Sequence, residues 1–162
     1  MYMTKFFILW ASILLIGFSG CSVKTYQTNE TKIITFKTPK MRFNDLGYIR
    51  SSDNEIQVDL FSAGQAVKRF EIGMLICLTE GCISKSAFNE DYLNEAYPDD
   101  TMQNILLGEK IFEGRDLIKN DLGFGQYIRD EKYDITYRVT ADEIYFKDKV
   151  NSILIRIRSI KK

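Results

Sequence analysis

The chain has 162 residues, of which 22 are basic, 22 acidic and none histidine, so its formal net charge is zero. That length suits one domain, and the balanced charge argues against a nucleic-acid binder, which usually shows a clear basic excess or stripe. The absence of histidine excludes Ser-His-Asp and Cys-His nucleophile systems and every His-ligated metal site, and an apolar fraction of 45% excludes a disordered tail.

The N-terminus reads as an export signal. Met1 to Lys5 carries one positive charge, and Phe6 to Phe18 is an apolar run of 13 residues. That run fits the core of a signal peptide and falls short of the ~20 residues a membrane span needs. Phe18-Ser19-Gly20-Cys21 follows at once. This segment resembles the lipobox of bacterial lipoproteins, with small residues before the cysteine and Phe18 where the family usually has Leu. The resemblance implies removal of residues 1–20 and a diacylglycerol on the Cys21 thiol. The alternative is an uncleaved N-terminal anchor with Cys21 incidental. Several acyl chains on one residue anchor stably, whereas a single chain is marginal. Ser22, rather than Asp, follows the cysteine, and the family's sorting rule then implies the outer membrane with the domain facing the periplasm. The membrane is thus the first expected partner. Processing removes one charge, Lys5, and leaves 142 residues, enough to bury roughly 68–70% of the unfolded surface without help from disulfides.

Residues 22–31 (SVKTYQTNET) are polar and aperiodic, and read as a tether from the lipidated Cys21. A first edge strand from Lys32 onward is the alternative. The single domain is then 32–162. Ile33, Ile34 and Phe36 form an apolar run before Pro39. Met41 and Phe43 alternate with Lys40, Arg42 and Asn44, and Ser51-Ser52-Asp53-Asn54 is a turn. Ile56, Val58 and Leu60 alternate with Gln57 and Asp59, a period of two that predicts a strand. Ser62-Ala63-Gly64-Gln65 reads as a hairpin turn, after which Ala66, Lys68, Phe70 and Ile72 share one face. Met74, Leu75, Ile76 and Leu78 are either a buried strand or an apolar loop.

Cys77 and Cys82 lie in Cys-Leu-Thr-Glu-Gly-Cys. In an exported protein they predict a local disulfide, with Gly81 supplying backbone freedom. A redox pair is the alternative, although its spacing differs from that of thioredoxin-like motifs. Two thiolates without histidine leave a zinc ion short of ligands, so no metal and no cofactor is expected.

The middle of the chain is helical. Phe88, Tyr92, Leu93, Ala96 and Tyr97 form a helical stripe, capped by Ser84 or Ser86 and stopped by Pro98. A second short helix follows Asp99-Asp100, where Asp100 and Gln103 resemble a capping box. Met102, Ile105 and Leu106 form its apolar face, and Gly108 ends it. Ile111-Phe112 precedes a loop around Gly114. Gly123-Phe124-Gly125 then leads into three alternating runs: Ile135, Tyr137, Val139; Ile144, Phe146; and Ile153, Ile155, Ile157. Their turns fall at Thr140-Ala141-Asp142 and Lys149-Val150-Asn151-Ser152, the spacing of an antiparallel meander.

Strands, two helices, then strands predict an α+β, mainly β fold. It is a curved antiparallel sheet or half-barrel with the two helices inserted between strand blocks as a cover for its apolar face. That order resembles the LolA/LolB group, with an apolar helix-turn-helix ending in Asn104-Ile105-Leu106-Leu107-Gly108 and a C-terminal meander, over residues 32–160. The resemblance implies an open β-barrel that holds acyl chains of lipids or lipoproteins beneath a helical lid, and a protruding apolar loop that inserts into a membrane. The nearest equivalent of that loop is Gly73-Met74-Leu75-Ile76, followed at once by a cysteine pair that the family pattern does not require.

Two functions follow. The first is a structural or assembly component of the cell envelope that docks a protein partner by edge-strand pairing or an aromatic patch. The alternative is a LolB-like carrier or receptor with acyl-lipid cargo in an apolar cavity lined by Val58, Leu60, Phe70, Tyr92, Leu106, Tyr137, Phe146 and Ile155. An enzyme is not expected. Asp99-Asp100 reads as helix-start capping and Asp130-Glu131 as a solvated turn. Lys161-Lys162 with Arg156 and Arg158 reads as a solvated face that could also touch anionic lipid headgroups.

Overall fold

A computed structural model describes residues 26–160. The expected signal peptide (residues 1–20), the expected lipidation site Cys21, residues 22–25, Lys161 and Lys162 lie outside the described residues. Eleven strands form one antiparallel sheet. In the first half, β1 is Thr28–Lys37, β2 Arg42–Ser51, β3 Ile56–Ser62, β4 Gln65–Ile72, β5 Ile76–Leu78 and β6 Gly81–Ile83. Two helices follow, α1 (Lys85–Tyr92) and α2 (Thr101–Leu107), then a 3-10 turn at Phe112–Gly114. The second half is β7 (Leu117–Asn120), β8 (Gly123–Arg129), β9 (Asp134–Thr140), β10 (Glu143–Asp148) and β11 (Ile153–Ser159).

The strand order β6-β5-β4-β3-β2-β1-β11-β10-β9-β8-β7 leaves the sheet open, with β6 and β7 as free edges. Each half is a meander of neighbours. The seam between the halves pairs β1 with β11, Ile34 opposite Ile157 and Phe36 opposite Ile155. The helices are therefore the segment that joins one free edge to the other, and the fold is the mainly β, curved-sheet arrangement expected from the sequence.

Alternation sorts the side chains onto two faces, because successive residues of a strand point opposite ways. Ile34, Phe36, Val58, Leu60, Phe70, Ile72, Ile135, Tyr137, Phe146, Ile153, Ile155 and Ile157 share the inner face and are all buried. Phe88 of α1 meets Phe70 edge-on at 6.5 Å, and Met102, Ile105 and Leu106 of α2 join the same cluster. The helices thus cover the concave face, as two one-faced elements must when the chain offers them no other apolar surface.

Several local expectations are corrected. β1 starts at Thr28, inside the segment read as a tether, because residues 28–31 pair with Tyr48–Ser51 of β2; it is a central strand, not an edge. α1 stops at Tyr92, well before Pro98. Leu93 and Tyr97 keep the buried positions their stripe predicts, but on a turn. Ser84 caps α1, its Oγ accepting from Ala87 N at 3.1 Å. The capping box at α2 does not form: the Asp100 side chain accepts from Asn104 Nδ2 at 2.8 Å, while Gln103 accepts from Lys85 Nζ at 2.8 Å. Gly108 ends α2 in the left-handed region, φ +68°. Of the apolar run 74–78, Met74 and Leu75 form an exposed turn and only Ile76–Leu78 is strand.

Candidate functional site

The strand directions place the start of β1 at the same end of the sheet as the ends of β2, β4, β7, β9 and β11. At this end the inner face changes character. Beyond Ile34, β1 turns Lys32, Glu30 and Thr28 inward. The C-terminal part of α2 stops short of covering them, and a pocket of about 220 Å³ remains between helix and sheet. Ile49, Ile144, Ile157 and Leu106 form its floor, Leu107 its lip, and Thr28, Glu30, Lys32 and Ser51 its polar rim. Lys32 Nζ donates to Ser159 Oγ at 3.1 Å and pairs with Glu30 at 2.6 Å, so the ammonium on the rim already has a carboxylate partner. An apolar floor beneath a few polar groups is the usual construction of a site for an amphiphile.

α2 is held over this floor by few polar contacts. The Tyr137 hydroxyl donates to Glu109 O at 2.8 Å and lies 3.4 Å from Asn104 O, which ties the end of α2 to β9. Burial, and then the nearby Glu109 carboxylate, push the Tyr137 phenol well above its ordinary pKa, so it stays a donor. Lys85 and Gln103 link the two helices to each other.

The eight residues expected to line a cavity fall as follows. Val58, Leu60, Phe70, Leu106, Tyr137, Phe146 and Ile155 are buried in one contiguous cluster. Tyr92 is half-buried on α1 and stacks on Phe88, with ring centroids 4.8 Å apart. All eight therefore lie on the concave face or on the helices that cover it, and Leu106 also borders the pocket. Cys77 and Cys82 are joined by a disulfide of 2.04 Å between strand partners of the β5–β6 hairpin. It fastens the free edge from which α1 departs. Asp130 is a turn residue whose Oδ1 accepts from Lys132 N at 3.1 Å.

Sequence reasoning missed the buried polar side chains that position the covering segment. Asp148 is fully buried at the end of β10. It accepts from the Tyr97 hydroxyl, from Val150 N at 2.9 Å, from Asp134 N at 3.1 Å and from Asn151 Nδ2 at 2.6 Å. Gln126, also fully buried, donates to Ile111 O and Arg115 O at 2.9 and 2.7 Å and accepts from Ile111 N at 2.9 Å, clamping the return from α2 onto β8. Asn89 of α1 donates to Tyr97 O and Pro98 O at 3.1 and 3.0 Å. On the convex face, Asp59 is clasped by Arg50, by Arg69 Nε at 2.5 Å and by Gln57 Nε2 at 2.9 Å. Burial, the largest effect, would raise the Asp59 pKa, but the hydrogen bonds from Arg69, Arg50 and Gln57 together outweigh it and hold the carboxyl below its ordinary range. Further round this face, Arg138 and Arg156 flank the Tyr145 ring at 4.8 and 4.9 Å. Asp59 occupies a position that the strand alternation reads as wet, so nothing local marks it, Asp148 or Gln126 as buried.

Among the described residues, no cluster of Cys, Asp and Glu is placed to hold a metal ion, and no helix is long and apolar enough to cross a membrane. No protein-family model matches the chain, and no curated protein is significantly similar to it.

Proposed function

We propose that the chain is a lipoprotein anchored to the outer membrane through Cys21, whose periplasmic half-barrel takes up acyl chains without a catalytic step, in the manner of a LolB-like carrier or receptor. The observation that carries this reading is the pocket between α2 and the concave face. Its floor is apolar, its rim carries Lys32, Glu30, Thr28 and Ser51, and it opens where the segment bearing Cys21 joins the fold. A pocket of about 220 Å³ holds only part of a long acyl chain, so uptake requires α2 to lift from the sheet. The sparse polar ties of α2 suit such movement.

The test is titration of the full chain with a long-chain fluorescent fatty acid. The reading expects saturable binding that Leu107→Glu, at the lip, weakens about tenfold, or about 1.4 kcal/mol. Unsaturable partition, or saturable binding indifferent to Leu107→Glu, counts against it. One observation favours the alternative of an assembly component. β7 is a free edge with Ile118 exposed, open to strand addition by a protein partner. In-cell crosslinking from position 118 that traps a protein would support that second role.

A further inference from the structure

The exposed apolar side chains are not spread evenly over the molecule. Met74 (96% exposed) and Leu75 stand on the β4–β5 turn, Leu122 (77% exposed) on the β7–β8 turn, and Ile160 just after β11. All four lie at the end of the sheet where β1 begins. Among the described residues, the opposite end carries Val150 as its exposed large apolar turn residue, while the turns there at Ala63-Gly64 and Asp130-Glu131-Lys132 are small and charged respectively. The β4–β5 and β7–β8 tips also stand one on each side of the opening between the free edges, because β5–β6 end one half of the sheet and β7 ends the other.

The β7–β8 turn is built to present its leucine. Leu122 N donates to Asn120 Oδ1 at 2.9 Å. Gly123, at φ +150°, lets the chain turn against β9, where a Cβ would lie 2.0 Å from Val139 O. Asn, Asp and Gly are the ordinary residues of a tight hairpin turn, so a solvent-facing leucine at its tip is not something the turn itself requires.

We infer that the β7–β8 hairpin is a membrane-contacting element, with Leu122 seated at the acyl boundary of the bilayer and the open end of the half-barrel facing the lipid. The occupant is a bilayer because of where the chain outside the fold attaches. Thr28 lies at this same end, seven residues after Cys21. Seven residues span at most about 25 Å, so an acylated Cys21 holds this rim, and not the opposite one, within reach of the lipid surface. To that extent the inference rests on the lipid-anchor reading. Single apolar tips on separate turns suit partial insertion. Among the described residues this rim sets Asp53, Glu55, Asp121 and Asp142 beside Lys119 and Arg158, an excess of acid, so the contact draws on apolar insertion more than on attraction to anionic headgroups.

The test uses the full chain in a Trp10→Phe background, reconstituted in phosphatidylcholine vesicles with and without brominated acyl chains. Single tryptophans replace Leu122, Met74 or Val150. The inference expects Leu122→Trp and Met74→Trp emission to shift to shorter wavelength and to be quenched by the brominated lipid. Val150→Trp should do neither, and added phosphatidylglycerol should not strengthen the effect. Leu122→Trp emission that matches Val150→Trp overturns the inference, whatever Met74→Trp does. Intact mass on the same samples reads Cys21 separately. An unmodified Cys21 with quenched Leu122→Trp ends the anchor reading and leaves the hairpin contact standing. An acylated Cys21 with unquenched Leu122→Trp does the reverse, and failure of both overturns both.

Discussion

Replacing Tyr97 by Phe removes one oxygen atom and leaves the ring in place. That ring meets Phe112, Tyr133 and Phe146 edge-on at 5.8, 6.0 and 6.0 Å, contacts that Phe keeps. What is lost is the hydroxyl's donation to Asp148, a fully buried carboxylate. A hydrogen bond to a charged group contributes about 1.5–3 kcal/mol. Asp148 retains Val150 N, Asp134 N and Asn151 Nδ2, which argues for the lower half of that range, about 2 kcal/mol. For a domain of this size, that corresponds to a fall in Tm of about 8 °C. Urea unfolding followed by far-UV circular dichroism should show a lower midpoint with an unchanged slope. Tyr127→Phe, on an exposed residue of β8, should stay within about 0.5 kcal/mol of the parent. A Tyr97→Phe chain as stable as its parent would refute the account of how residues 93–100 are held onto β10.

Other expectations follow from the same geometry. Burial and the Asp148 carboxylate raise the Tyr97 phenol above its ordinary pKa, and burial raises Tyr137. Their contribution is therefore complete below the unfolded phenol value of about 10 and is lost as pH rises beyond it, so urea midpoints should fall steeply above pH ~10, less steeply in Tyr97→Phe. Asp59 has the opposite sign: its lowered carboxyl stabilises above the unfolded value of about 3.9 and ceases to do so as pH falls through the folded value. Asp59→Asn should cost about 1–2 kcal/mol at pH 7 and flatten the acid limb, a modest figure because Arg69 is 58% exposed and solvent screens the pair. Replacing Cys77 and Cys82 by Ala opens a six-residue loop, for which chain entropy predicts a loss of about 2 kcal/mol, read as a lower urea midpoint.

A period of two marks a strand wherever one face is apolar and the other wet, which is why β3, β4, β9, β10 and β11 are legible in the sequence. β7 (LIKN) is not, because as a short, mostly exposed edge it has no apolar face to alternate. The stripe Phe88–Tyr97 names residues that are buried (Phe88, Leu93, Tyr97) or partly buried (Tyr92, Ala96), but the wrong backbone. Burial depends on where a side chain points, and a turn fastened by Asn89 and Asp148 points Leu93 and Tyr97 inward as well as a helix would. Composition alone suggests a tether, yet Thr28–Thr31 is strand because β2 offers it a partner. The candidate pocket is legible only through Leu106. Its polar rim on β1 is invisible in the sequence, since nothing local shows that the register sets Thr28, Glu30 and Lys32 on the concave side, just beyond the end of α2.

The central claim, uptake of an acyl chain beneath α2, is tested most directly by native mass spectrometry of the full chain purified from bacterial membranes. The account predicts a non-covalent acyl-lipid adduct that denaturation releases, in addition to the covalent lipid that stays on Cys21, and loss of that adduct in Leu107→Glu. A chain that carries only the covalent lipid, with no releasable adduct before or after incubation with fatty acid, would contradict it.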